Sequence, residues 1–271
     1  MCFLEVNKYI LLKFSILFLF IFYIQFSSAQ DFIAQKIEDF PLKANQFIGV
    51  DKFDGVYYIK ENTLFKKNEE RVVEYKDFQL GDIYHVDLIN PLQITLFYKE
   101  SNTAIILDNR LNELKRISFD RLVDYKMVDF CTTANEQSLW IFNADLQQLE
   151  IFNYQREKTE LKTIPITEDV INQKSNFNFC WLQTKNGIYQ FNVYGSLIKK
   201  IDVKFDNFVI YKNKLLLISK KGESFYFNQK DGNLTSLKLP KIEFNQVHLN
   251  NEKLYLYDGK RIHIYQITPN N

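Results

Sequence analysis

The chain has 271 residues, 46% apolar and 16% aromatic, with only 8 Gly and 5 Pro. That composition supplies a large core and argues against a low-complexity or disordered chain. The formal net charge of +1 falls close to zero once the N-terminal leader is set aside, so nothing draws the protein toward nucleic acid or an anionic membrane at long range.

Residues 9–26 are almost wholly apolar, interrupted by Lys13, Ser15 and Gln25. After Lys13 the apolar stretch runs for about a dozen residues, short of the ~20 that a spanning helix needs. Ser27-Ser28-Ala29 follows at once, the order of a secretory signal cut after Ala29 to leave Gln30 as the mature N-terminus. An uncleaved anchor over 9–26 is the competing reading; a lipoprotein is excluded because Cys2 precedes the apolar run. The expectation is a signal peptide over 1–29 and one domain over 30–271, secreted or held in the periplasm or at the outer membrane.

Beyond residue 30 no amphipathic helix of useful length is visible. Short β-branched and aromatic runs recur instead, broken by Asn, Asp, Gly or Lys turns: GVYYIK at 55–60, QITLFYK at 93–99, SLWIFN at 138–143, KLLLIS at 214–219 and KLYLYD at 253–258. Several are apolar on both faces, as strands packed between other layers are. Their centres, Tyr58, Leu96, Trp140, Leu182, Leu216 and Leu256, lie roughly 35–45 residues apart, the period of a four-stranded propeller blade. Two units align closely: Val86-Asp87 leads to Leu96 and closes on ELKRI, and Val128-Asp129 leads to Trp140 and closes on ELKTI.

The units fall at 46–77, 83–119, 126–166, 169–203 and 206–240, with a shorter sixth at 244–267. In the fourth, Asn186-Gly187 reads as a tight hairpin, but the innermost strand has no clear run, and 167–176 reads as a longer loop. In the fifth, the turns fall at Lys221-Gly222 and Asp231-Gly232. The sixth supplies three strands only, while 34–42 stands unpartnered before the first unit. Pairing 34–42 with RIHIYQI completes the last blade and removes an open sheet edge. The expected fold is all-β, a six-bladed β-propeller closed by its N-terminal strand and preceded by a signal-peptide helix.

These strand–turn–strand units, clearest in NPLQITLFYKESNTAIILDNRLNEL at 90–114, resemble the secreted NHL/YVTN-like six-bladed propellers of Bacteroidota, and the SSAQ junction is similar to theirs. The resemblance implies fold and export. Most such proteins have no assigned function, and it carries over no catalytic residue.

Chemistry-bearing motifs are sparse. GxSxG, the phosphate-cradling P-loop and GxGxxG are all missing, so no cofactor is expected. Asp51, Asp87 and Asp129 recur on inner strands; facing a central channel they would offer oxygen ligands to a divalent cation, and otherwise each caps a strand or turn. His85 and His248 stand at comparable places, which makes them the catalytic pair of the alternative reading. His263 alternates with aliphatic residues, as a strand-face residue does. Cys131 and Cys180 lack metal or redox spacing and read as buried thiols, with a disulfide as the alternative in an oxidising compartment. Trp140, Trp181, Phe225, Tyr226 and Phe227 lie inside strands, which favours packing between blades over a sugar-stacking platform. Asn233-Leu234-Thr235 matches a glycosylation acceptor.

The leading expectation is therefore a monomeric binding or scaffold module of the cell envelope. Its partner would be a protein or polysaccharide rather than nucleic acid, with a channel-centred enzyme or metal protein as the alternative.

Overall fold

Short strands ended by polar turns build nearly all of the described part of the chain. The computed structural model describes residues 32–135, 137–211, 214–219, 224–228 and 234–269. After β1 (Phe32–Pro41) come four antiparallel four-stranded sheets in succession. The first holds β2 (Gln46–Val50), β3 (Val56–Lys60), β4 (Thr63–Lys67) and β5 (Val72–Tyr75). The second holds β6 (His85–Asp87), β7 (Ile94–Tyr98), β8 (Thr103–Leu107) and β9 (Glu113–Ser118). In the third are β10 (Val128–Asn135), β11 (Ser138–Asn143), β12 (Gln148–Asn153) and β13 (Lys158–Lys162). The fourth comprises β14 (Val170–Ser175), β15 (Phe179–Thr184), β16 (Ile188–Asn192) and β17 (Leu197–Ile201).

The remaining strands form one eight-stranded sheet. Its first half is β18 (Asn207–Tyr211), β19 (Lys214–Ile218), β20 (Ser224–Asn228) and β21 (Leu234–Lys238). Its second half runs from β1 through β24 (Arg261–Pro269) and β23 (Lys253–Tyr257) to β22 (Gln246–Asn250). The two halves meet in parallel at Phe32↔Leu237 and Ile33↔Lys238 alone. By contrast, β1 pairs antiparallel with β24 from Phe32↔Pro269 to Pro41↔Arg261, with a bulge between Lys36 and Glu38. The unpartnered N-terminal segment thus pairs where the sequence placed it, and it also reaches one strand further.

Turn chemistry explains how a Gly-poor chain makes so many hairpins. Asp108, Asn153, Asn176, Asn192 and Asp258 each accept two backbone N–H groups of their own turn. Glu61-Asn62 and Asn251-Glu252 hold positive φ at both loop positions, the geometry that matches strand twist. Gly187 answers a different need: a Cβ there would lie 2.1 Å from the Ile201 carbonyl oxygen of the adjacent strand.

Apolar side chains bind each sheet to the next. Leu64 and Leu96 share one cluster, as do Ile106 and Leu139, Trp140 and Leu182, Trp181 and Leu215, and Leu216 and Leu254. A last cluster of Phe47, Val50, Tyr255, Tyr257 and Ile262 returns the end of the chain to the first sheet, so the packing closes on itself. Full burial of one such side chain contributes about 1.5–3 kcal/mol. Trp140 and Trp181 are 0% exposed, which makes them packing residues and not a sugar platform. Cys131 and Cys180 are buried free thiols, pushed well up by burial. His263 sits on the strand face, its Nε2 2.9 Å from Asp258 Oδ2.

Residues 167–176 are not a longer loop: they contain β14, Val170–Ser175, the first strand of its sheet. Among the described residues a three-residue 3-10 turn at Phe119–Arg121 is the one helical element, and no helix is long and apolar enough to cross a membrane. Ala29 and Gln30, the turns at 221–222 and 231–232, and Asn233 lie outside the described residues.

Candidate functional site: the axial cavity

The first strand of every four-stranded unit lies innermost. β6 packs on β10, β10 on β14, β18 on β22, and β22 on β2. Together these strands line a cavity of about 420 Å³. Its wall also takes residues from the loops that follow them: Lys52 after β2, Ile89 and Pro91 after β6, and Asn176 after β14. The cavity therefore sits at the end of the axis where these loops gather. Three of the loops carry exposed apolar side chains, Phe53, Leu92 and Phe177.

Strand alternation sets which side chains face the axis. In β6, Val86 enters the core between sheets, and its neighbours His85 and Asp87 line the cavity. Asp87 accepts the Thr133 N–H at 2.7 Å and the Ile89 N–H at 3.0 Å, tying the second sheet to the third. Burial raises its carboxyl above the usual range in spite of these bonds. Burial, aided by the Lys174 charge, pushes the His85 imidazole down to about 4.

His248 reaches across the ring junction. Its Nε2–H donates to the Val50 carbonyl oxygen at 2.9 Å, and Asn250 Nδ2 donates to the same oxygen at 3.1 Å. The ring lies over Gly49, where a Cβ would meet Nδ1 at 2.5 Å. Burial pushes His248 down to about 4, although its bond to Val50 works the other way. Both cavity histidines are thus neutral at pH 7.

Lys174, from β14, joins them in the wall. Its ammonium makes no hydrogen bond or ion pair with any described residue, and Nζ lies 5.6 Å from the centroid of the Phe208 ring. Burial pushes its ammonium down to about 8, partly offset by the charge of Asp87. The sequence did not single this lysine out. Its strand, VINQKS, lacks an apolar run; only the blade period pointed to a strand there.

The three aspartates do not come together. Asp51 folds back into its own turn, accepting the N–H groups of Phe53 and Gly55 on Oδ1. Its Oδ2 takes the Tyr57 hydroxyl at 2.9 Å and the Lys66 ammonium at 3.1 Å. Burial works to raise the Asp51 carboxyl, but these partners outweigh it and hold the group below its usual value. Asp129 falls within a register shift of β10, between Val128 and Phe130, which removes it from the alternation that would aim it at the axis. It pairs with Lys99 at 2.7 Å instead. Among the described residues no group of three or more His, Cys, Asp or Glu is placed to hold a metal ion. His85, His248 and Asp87 do share one cavity.

No protein-family model matches the sequence, and no curated protein matches it. Solved structures do. The WD40 propeller domain of Doa1 matches 88% of this chain and 92% of its own, with TM-score 0.59 and 10% identity. A streptogramin B lyase matches over 88% of this chain and 97% of its own, at TM-score 0.56 and 11% identity. Hsv2 from Kluyveromyces lactis matches 68% of the chain at TM-score 0.52 and 12% identity, and this chain spans 58% of its length. Identities this low speak for the fold alone: the chain is an all-β protein of β-propeller type.

Proposed function

We propose that this chain is an exported, six-bladed propeller that serves as a binding module of the cell envelope. The eight-stranded sheet counts as two blades welded by β1, which brings the ring to six. One observation carries the binding reading: inner strands from all around the ring converge on a single cavity whose surrounding loops expose Phe53, Leu92 and Phe177. Cavities of ~300–1,000 Å³ with apolar walls and a few placed polar groups are where proteins take ligands. A protein or polysaccharide of the envelope would dock on the same loops.

Export rests on the apolar leader and Ser27-Ser28-Ala29. N-terminal sequencing of the exported protein should read from Gln30; a retained Met1 in the membrane fraction refutes cleavage. For binding, tagged exported protein should be cross-linked to its neighbours and compared with a Phe53→Ser, Leu92→Ser, Phe177→Ser variant. Loss of the same cross-linked species in the variant supports the reading, and an unchanged set rejects it.

A second reading, an enzyme working at the cavity, is favoured by His85, Asp87 and His248 sharing one wall, the residue types that move protons in catalytic sites. The neighbouring lyase is an instance of chemistry on a similar fold. Turnover of a substrate by the exported protein that vanishes in His85→Gln would establish it.

A further inference from the structure

We propose that the axial cavity takes a small organic carboxylate, its charged group held by Lys174 and its apolar body lying toward the Phe53, Leu92 and Phe177 loops. The inference rests on the binding reading above and adds the chemistry of the ligand.

Charge in the cavity wall is the first argument. Asp51 is neutralised by Lys66 and saturated by its own turn. Asp87 already holds two backbone N–H groups. The two imidazoles are neutral. Of the charged side chains on the innermost strands, Lys174 alone has neither a hydrogen bond nor an ion pair among the described residues. An ammonium drawn partly out of water without a counter-ion is costly, and an incoming anion would remove that cost. Lys52, also in the wall, adds a second positive charge beside the loops.

The same wall argues for a single negative charge. Asp87 stands close enough to Lys174 for each to shift the other's titration. Attraction to the one unpaired ammonium grows in proportion to a ligand's charge, while the cost of drawing that charge out of water grows as its square, so a monoanion fits better than a dianion. The same cavity wall includes Asn176 and Asn250 as polar groups, and Ile48, Ile89 and Ile210 as apolar surface. That mixture suits a carboxylate carried on an alkyl or aryl body.

Calorimetry on the mature protein tests this with phenylacetate, its neutral isostere phenylacetamide, and the dianionic phenyl phosphate. Phenylacetate should bind roughly tenfold or more tightly than either other probe, and Lys174→Met should abolish that preference while Lys174→Arg keeps it. Affinity for phenylacetate should fall as pH rises through about 8, where Lys174 loses its proton. Should Lys174→Met fail to fold, NMR of reductively ¹³C-methylated wild-type protein reads the same group: saturation with phenylacetate should raise the Lys174 pKa. Equal binding of acid and amide, tighter binding of phenyl phosphate, or an unmoved Lys174 resonance overturns the proposal. Those outcomes leave the cross-linking test of the loops to stand or fall by itself.

Discussion

His248 donates its Nε2–H to the carbonyl oxygen of Val50 at 2.9 Å, joining residues 198 apart in sequence where the last inner strand meets the first. Phe47 and Tyr255 pack around the same ring, at centroid distances of 6.3 and 6.0 Å. The junction of the ring is thus held by a neutral imidazole in a largely desolvated place. That ties closure of the fold to pH.

Both cavity histidines have folded pKa values near 4, below the 6.5 of the free side chain. Between those values the unfolded chain binds protons that the folded one refuses. Stability contributed by the two rings is therefore whole above pH 6.5 and is lost as pH falls toward 4. Each ring accounts for up to about 3 kcal/mol over that window. Asp87 acts in the opposite sense, since its raised carboxyl is relieved by protonation. Urea melts at neutral and mildly acidic pH should show the loss, and a His85→Gln, His248→Gln variant should flatten it. An equally steep acid limb in the variant would place the effect elsewhere.

Gly49 and His248 form a size-matched pair, because a Cβ on Gly49 would meet the ring at 2.5 Å. Gly49→Ala should destabilise by about 1–3 kcal/mol, the usual cost of overpacking. In a His248→Ala background the ring is gone and the same substitution should cost under about 1 kcal/mol. Thermal melts of the four proteins complete the cycle; additive losses would show that the glycine is needed for its backbone alone.

The blade frame was legible because apolar strand centres repeat, and tight packing between sheets requires them to. Each unit read from sequence brackets a meander now seen, from 46–77 around β2 to β5 through to 206–240 around β18 to β21. What escaped was β14, and the reason is its surroundings. Gln173 bonds sideways to Thr132 Oγ1 and the Trp140 carbonyl, and Lys174 faces the cavity. An innermost strand that answers to a polar neighbour and a channel has no apolar signature. The same loss of pattern concealed Lys174, and it lent the three aspartates an equivalence they do not have. Asp51 caps a turn, Asp87 bridges two sheets, and Asp129 sits in a bulge.

Because both oxygens of Asp51 are engaged, Oδ1 by its own turn and Oδ2 by Tyr57 and Lys66, Asp51 should act on stability and not on metal binding. Asp51→Asn leaves the Lys66 ammonium, 10% exposed, without its counter-ion. We expect a loss of about 3 kcal/mol, in the range for a buried charge left unpaired. Calcium at about 5 mM should leave the melting temperature of the wild type unchanged, since a site that bound it would stabilise by mass action. A calcium-dependent rise that disappears in Asp51→Asn would restore the metal reading.

Among the described residues the most deeply buried ion pair lies against the third sheet. Lys126 Nζ lies 3.1 Å from Glu150 Oε2, with side-chain exposures of 2% and 0%. Glu150 also accepts the Asn143 amide at 2.9 Å and the Thr159 hydroxyl, so its charge is well housed only while the lysine is present. Lys126→Met removes the cation but leaves the carboxylate, and should cost about 3–5 kcal/mol. Adding Glu150→Gln removes the stranded charge and should return a large part of that loss. Backbone geometry survives both changes, because the Lys126 carbonyl is held by Asn102 Nδ2 at 2.7 Å. Denaturant melts of the single and double variants measure the coupling; if the double variant loses the sum of the single losses, the two side chains act independently and the pair does not hold the sheet.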